Sequence, residues 1–191
     1  MNVSDSILKR RSIRKFKNTP VPREVLEKLV SLGRLYASAA NAQPIRFAIV
    51  SKKENCDAVF ENLNWAMFLP DFNIEENQRP AAYVLLLSEN EKSAFFEFDA
   101  GAAATTVMLA AEEEGFSSCC LKIPRQDEIK AALGLDGYVP VYAIALGEGA
   151  IQSSICPREG SQKYRMDPQG NFTVPKFRTE EVLIWSDLNK K

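Results

Sequence analysis

Lys9-Arg10-Arg11-Ser12-Ile13-Arg14-Lys15 gathers five cations and one hydroxyl into a single short run. Guanidinium groups offer paired donors and a permanent charge, so such a run suits a phosphate or an anionic ring. Across the whole chain 24 Lys plus Arg face 25 Asp plus Glu, for a formal charge of -1. The positive charge is therefore local, and no general basic field exists to hold nucleic acid. A solvated basic turn is the plain alternative, because charge runs usually face water. A second pair, Lys176 and Arg178, stands two residues apart, so an extended backbone would aim both cations to one face. Between these lies Ala37-Ser38-Ala39-Ala40-Asn41-Ala42-Gln43-Pro44. Its small side chains allow another surface to approach the backbone, and Asn and Gln supply both donors and acceptors. An ordinary helix-to-strand loop has a similar composition.

Other chemistries are excluded by composition. The chain has no histidine, which removes Ser-His-Asp and Cys-His mechanisms and most zinc-site patterns. The four cysteines, Cys56, Cys119, Cys120 and Cys156, show no C-x-x-C spacing and are expected to be free and mostly buried. Neighbours Cys119 and Cys120 would point to opposite sides of a strand. No apolar run approaches the roughly 20 residues that span a bilayer. Met1-Asn2-Val3-Ser4-Asp5 is polar, without the apolar stretch of a signal peptide, so a cytoplasmic protein without a membrane partner is expected.

These segments need elements to position them. Ser4 is expected to cap a short helix carrying Ile7 and Leu8, which delivers the basic run at its C-terminal end. Pro22 suits the start of a second helix, with Val25, Leu26, Leu29 and Val30 at helical spacing. Phe47–Val50 reads as a strand, and Lys53–Leu63 as a helix with Val59, Phe60 and Leu63 inward. Trp65–Phe72 is apolar and could cover a ligand, although an aromatic cluster is more often ordinary packing. Ala81–Leu87 is a continuous apolar run, as in a strand buried on both faces. Phe98–Ala111 is an Ala-rich central helix that stops at Gly115. Strands follow at Gly115–Leu121 and Tyr138–Leu146. Between them Pro124 opens a helix with Ile129, Ala132 and Leu133 inward and Gly134 at its end. From Gly147 the chain is expected to be loop-rich. It carries a hairpin over Lys163–Val174 and a last helix, capped at Thr179, bearing Val182, Leu183 and Trp185.

Taken together, Arg-Arg-Ser-x-Arg at Arg10–Arg14, Ser-x-x-Asn-x-Gln-Pro at Ser38–Pro44, Asp-x-Gly-x-Ala at Asp99–Ala103, a Gly-led strand and a late Lys-x-Arg resemble the nitroreductase family of FMN-dependent oxidoreductases. The resemblance runs from about Ile7 to Trp185. It implies an α+β fold, a central mixed sheet flanked by helices, in an intertwined homodimer with FMN at the interface. One domain over 1–191 is expected, its hairpin and tail at about 150–191. The resemblance further implies electron transfer from NAD(P)H through FMN to a small nitroaromatic, quinone or similar electron-poor acceptor. Another reaction on the same flavin fold (flavin destructase or dehalogenase-like), a non-catalytic flavin-binding redox sensor and a plain anion-binding module are the alternatives.

By position, the resemblance places Arg10, Arg11, Ser12 and Arg14 on FMN. Arg10 and Ser12 take the phosphate and ribityl end, and Arg14 lies near the pyrimidine edge, where a cation stabilises the reduced ring. Lys176 and Arg178 match the C-terminal basic pair at the phosphate. Ala37, Ser38, Ala39 and Asn41 match a loop lent by the partner subunit. Cys120, Leu121, Lys122 and Ile123 match the segment beside the flavin's reactive edge. No catalytic side chain is implied, because flavin N5 carries the chemistry. The sequence departs from the family pattern at Ile45, where Trp is frequent, at Ala37-Ser38 in place of Pro-Ser, and at Lys122.

Overall fold

The computed structural model describes residues 2–89 and 94–188, so the ends of the expected 1–191 domain lie outside the described residues. The chain divides into two compact units, Met1–Ala150 and Ile151–Lys191.

In the first unit α1 spans Val3–Lys9, and its cap is Asn2 rather than the expected Ser4. Asn2 accepts the Asp5 N–H while the Asp5 carboxylate accepts the Asn2 N–H, a reciprocal box that starts the helix two residues early. Helix α2 (Arg23–Gly33) follows Pro22 and buries Leu26, Leu29 and Gly33, as the spacing requires. Strand β1 (Arg46–Val50), helix α3 (Lys53–Glu61), strand β2 (Ala82–Glu89) and helix α4 (Phe96–Glu113) come next. Strand β3 (Ser117–Lys122), helix α5 (Gln126–Leu133) and strand β4 (Tyr138–Gly147) complete the unit. Helix α5 ends at Gly134 in the left-handed conformation. It buries Ile129, but Ala132, expected inward, is exposed.

The four strands pair antiparallel in the order β1-β2-β4-β3. Strand β2 lies between two neighbours, and every residue from Ala82 to Ser88 is buried, so both of its faces are covered. On one face Val84, Leu86, Ile144 and Leu146 join Leu26 and Leu29 of α2 and Ala100, Ala103 and Val107 of α4 in the core. The Ala-rich sequence of α4 permits this close approach. Gly33 is part of the same fit, since a Cβ there would lie 2.5 Å from Val107 Cγ2.

The second unit contains β5 (Ser153–Pro157), β6 (Arg165–Met166), β7 (Phe172–Lys176) and α6 (Thr179–Val182). The expected hairpin is β6–β7, paired antiparallel, while β5 adds to β7 in parallel within a stretch expected to be loop. Arg178, not Thr179, occupies the cap of α6, its N–H bonded to the Glu181 carboxylate at 2.6 Å. The helix ends at Val182, so Leu183 and Trp185 lie beyond it and are exposed. Their spacing mimics a helix, but those residues bury no apolar stripe that would sustain one.

Candidate functional site

The basic run leaves α1 at Arg10 and is pinned as extended chain from three directions. Ile13 donates its N–H to the Ser118 carbonyl at 3.0 Å, and Ser12 forms a parallel bridge with Ser118 on the edge strand β3. Phe16 donates to Gln78 at 2.9 Å, and Lys17 donates to Glu148 at 2.8 Å. Ile13 and Phe16 are buried and serve as apolar anchors, while Arg10, Arg11, Ser12, Arg14 and Lys15 stay half-buried between them. The plain reading of a solvated turn is thereby replaced, because this run is a fixed edge element.

The charges in the run crowd one another. Partial burial, first, and the neighbouring Arg10 charge, second, hold Arg11 below the ordinary guanidinium range, and Glu112 offsets them in part. Burial raises the Cys119 thiol, opposed by the Arg14 and Arg10 charges and by a hydrogen bond with Ser12. The two arginines and the Ser12 hydroxyl therefore converge at the sheet edge near Cys119. Half-desolvated like charges beside a hydroxyl favour an anion in this place, so the donor set fits the phosphate of FMN and the pyrimidine edge of its ring, where negative charge develops on reduction.

Strand β3 supplies the second part of the site. Cys119 and Leu121 pair with Ala145 and Ala143 of β4. The Ser118 carbonyl, one residue earlier, turns outward to Ile13, so by alternation the peptide groups of Cys120 and Lys122 also point to the open edge. Cys119 and Cys120 are free thiols on opposite faces, as expected, with the Cys120 side chain packed against the α2–α4 core. Burial pushes the Cys120 thiol up to about 12. Leu121 and Ile123 are buried and Lys122 is exposed. Opposite Lys122 on β4 stands Tyr142, whose hydroxyl donates to the Glu97 carboxylate. That bond, with burial second, raises the Tyr142 hydroxyl to about 12. This pairing has no signature in the sequence, because it depends on strand register.

The loop Ala37–Gln43 is the third part. It contains a short turn over Ala39–Asn41 and holds Ala40, Asn41 and Gln43 at φ of 49°, 54° and 47°. Non-glycine residues adopt this left-handed region rarely. Ser38 Oγ accepts the Gln43 N–H at 3.1 Å across the turn. The Tyr36 hydroxyl accepts the Ile45 N–H at 3.3 Å, and Asp99 Oδ1 on α4 accepts the Ala39 N–H at 3.1 Å. Ile45 is buried, filling the core at the point where the family often has Trp. Ala37 and Asn41 are exposed, and Ser38 and Ala39 are half-buried.

Trp65 stacks on Phe60 with ring centroids 5.4 Å apart, and Lys15 lies 5.5 Å from the Phe72 ring centre. The aromatic stretch thus reaches the basic run. Lys176 and Arg178 stand exposed in the second unit, Lys176 at the end of β7 and Arg178 in extended backbone. Among the described residues no cluster of three or more Cys, Asp or Glu could hold a metal, and no helix is long and apolar enough to cross a membrane.

The sequence profile described as the nitroreductase family matches residues 7–148. The chain belongs to the nitroreductase family. Solved nitroreductase structures share its fold. A point mutant of the FMN- and NADPH-dependent nitroreductase of Sphingopyxis sp. strain HMH superposes at a TM-score of 0.72 and 20% identity, over 98% of this chain and 100% of that one. An FMN-dependent nitroreductase of Clostridium difficile R20291 gives 0.64 at 23% identity, over 84% and 90%. A Bacteroides fragilis nitroreductase with bound FMN gives 0.63 at 20% identity, over 78% and 89%. No curated protein matches the chain. The nitroreductase family profile ends two residues before the boundary between the two units, so it covers the basic run, the Ala37–Gln43 loop and β3, but neither Lys176 nor Arg178.

Proposed function

We propose that this nitroreductase-family protein is an FMN enzyme that carries electrons from NAD(P)H to a small nitroaromatic, quinone or similarly electron-poor organic acceptor. The observation that supports this reading most is the half-buried Arg10, Ser12 and Arg14 converging on the open edge of β3. FMN, when bound, supplies a ring that accepts a hydride from the nicotinamide and passes electrons onward.

The chain's own residues bind, orient and tune. Arg10 and Ser12 hold the phosphate and ribityl end by hydrogen bonds, charge-assisted from Arg10, and Arg11, which donates to the Leu8 carbonyl, adds its charge beside them. In the second unit Lys176 and Arg178 form a basic pair that matches the family's C-terminal phosphate motif. Arg14 places a permanent charge at the pyrimidine edge, preorganised against negative charge that develops there. The outward peptide groups of Cys120 and Lys122 line the reactive edge without contributing an acid or base. Ala37, Ser38, Ala39 and Asn41 close the site from a second copy of the chain, which makes the homodimer the functional unit.

The deciding experiment is a visible spectrum of the purified protein, chromatography of the heat-released cofactor, and titration with NADH and NADPH under argon. FMN with bleaching by a nicotinamide supports the proposal. Flavin that resists bleaching would instead indicate a non-catalytic flavoprotein, and absence of flavin would indicate a site for another anion.

A further inference from the structure

Asp99 is fully buried in the first turns of α4, and its two carboxylate oxygens are treated differently. Oδ1 accepts the Ala39 N–H at 3.1 Å. Oδ2 is buried without a hydrogen-bond partner among the described residues. Among the described residues no ion pair joins this carboxylate, which lies in the first turn of α4, where the helix dipole favours negative charge. A buried carboxylate with one bare oxygen is a costly choice for a core position. An Ala in its place would continue the small-residue surface of Ala100, Ala103 and Ala104. The stability sacrificed at Asp99 is therefore linked to what Oδ1 holds.

What it holds is the entry to the Ala39–Gln43 turn, where three of the five residues sit at positive φ. None of the three is glycine, so the loop does not prefer this shape on its own. Other ties are the Ser38 hydroxyl bond to Gln43, the Gln43 side-chain amide bond to the Asn41 carbonyl, and, at the far side of the turn, the Tyr36 hydroxyl bond to Ile45 and the Arg46 guanidinium bond to the Gln43 carbonyl at 2.8 Å. Asp99 is the tie that comes from a rigid helix across a sequence separation of 60 residues.

We propose that Asp99 is a positioning residue for the cofactor loop: it fixes the Ala39 N–H so that Ser38 and Asn41 are presented in one preset conformation, and the cost of ordering this loop is met on folding instead of on FMN binding. This rests on the reading of the loop as part of an FMN site. Asp99 touches neither cofactor nor substrate, and its influence passes through the backbone of Ala39.

The test uses the full chain with Asp99→Ala and Asp99→Asn. Amide hydrogen exchange of the FMN-free protein reads the loop directly. Exchange of Ala39–Gln43 should accelerate at least tenfold in Asp99→Ala and much less in Asp99→Asn, whose side-chain oxygen still accepts the bond. Titration with FMN should then show a roughly tenfold or greater loss of affinity in Asp99→Ala, with Asp99→Asn within about threefold of wild type, as loss of a charge-assisted bond implies. Thermal unfolding of both variants separates this from general damage, since a melting temperature close to wild type shows that the fold is intact. Unchanged exchange in Asp99→Ala, or equal loss in both variants, overturns the proposal. A wild type that binds no FMN but shows the exchange difference would sink the cofactor reading while leaving the positioning role intact. If Asp99→Ala does not fold, Asp99→Asn decides alone: tenfold faster loop exchange in that folded variant would refute the acceptor role.

Discussion

The Ile13 N–H and the Ser118 carbonyl, 3.0 Å apart, join the basic run to the edge of the sheet by a main-chain bond. With Ile13 buried, the residues on either side, Ser12 and Arg14, are turned away from the core and held half-buried. The arginines thus owe their direction to backbone pairing, and side-chain substitution tests their role without dismantling the edge.

Arg10→Ala and Arg178→Ala should each weaken FMN binding. A well-formed charge-assisted bond contributes about 1.5–3 kcal/mol, or roughly tenfold to a hundredfold in affinity. Titration of the FMN-free protein with FMN reads this, and wild-type affinity in either variant would return that arginine to the status of a surface charge.

Cys56 and Cys120 should resist alkylation at neutral pH. Burial holds both thiols near 12, so the reactive thiolate is scarce until pH rises toward that value. Iodoacetamide labelling at pH 7.5, mapped by mass spectrometry, should leave both unmodified in the folded protein and modify both in urea. Cys119→Ser with Cys120→Ser should retain NAD(P)H-driven reduction of bound flavin in stopped-flow traces, and its loss with FMN still bound would point to thiol chemistry.

Light scattering should give the mass of a homodimer. Asn41 is exposed and at φ 54°, so Asn41→Arg introduces both bulk and a residue poorly suited to that backbone. Flavin occupancy should fall sharply in Asn41→Arg and by less in Asn41→Gly, which keeps the conformation and loses only the side-chain contact. A wild-type monomer with stoichiometric FMN would remove the shared-loop arrangement.

Gly33→Ala should destabilise the first unit by about 1–3 kcal/mol, the usual range for overpacking. The cause is the 2.5 Å approach of the new Cβ to Val107 Cγ2. Urea unfolding measures it, and Val107→Ala in the same chain should recover part of the loss. Additive effects would show that the two helices yield independently.

Asp57 sets part of the acid limit. Its carboxyl lies below the ordinary 3.8, first through the hydrogen bond from Lys53 and, against an opposing burial effect, through that from Arg79. A group depressed in the folded state stabilises above its unfolded pKa and loses that contribution as pH falls through the folded value. The Asp57→Asn variant should therefore be less stable than wild type at pH 7 and converge with it as pH falls through the depressed folded value of Asp57, in urea midpoints taken from neutral to acid pH. Equal gaps at neutral and acid pH would rule out titration of Asp57 as the source.

Much of the scaffold was legible because it rests on local periodicity. Leu26 and Leu29 in α2, the unbroken apolar run of β2 and the left-handed stop at Gly134 each follow from a few adjacent residues. The errors fall where two good local choices compete or no local signal exists. Asn2 and Ser4 are both suitable caps, and the reciprocal partner at Asp5 decides for Asn2. Strand β5 is short, rich in Ser and paired with a strand later in the chain, so its own sequence carries little strand signal. At the site, residue types announced an anion-binding run, but its orientation depends on Ser118, and the Asp99 tie depends on α4 packing beside the loop. Those are long-range facts, invisible to spacing.

The position of β2 bears on how the chain is made. Its fully buried stretch is flanked by β1, synthesised before it, and by β4, which emerges roughly 50 residues later, about 3–10 s at ordinary translation speed. Throughout that interval one edge of a strongly apolar strand is open to pairing with any neighbouring chain. Growing polypeptides crowded on one message would be the most exposed to such mispairing, and a chaperone that shields Ala82–Leu87 until Tyr138–Gly147 arrives would raise the yield of folded protein.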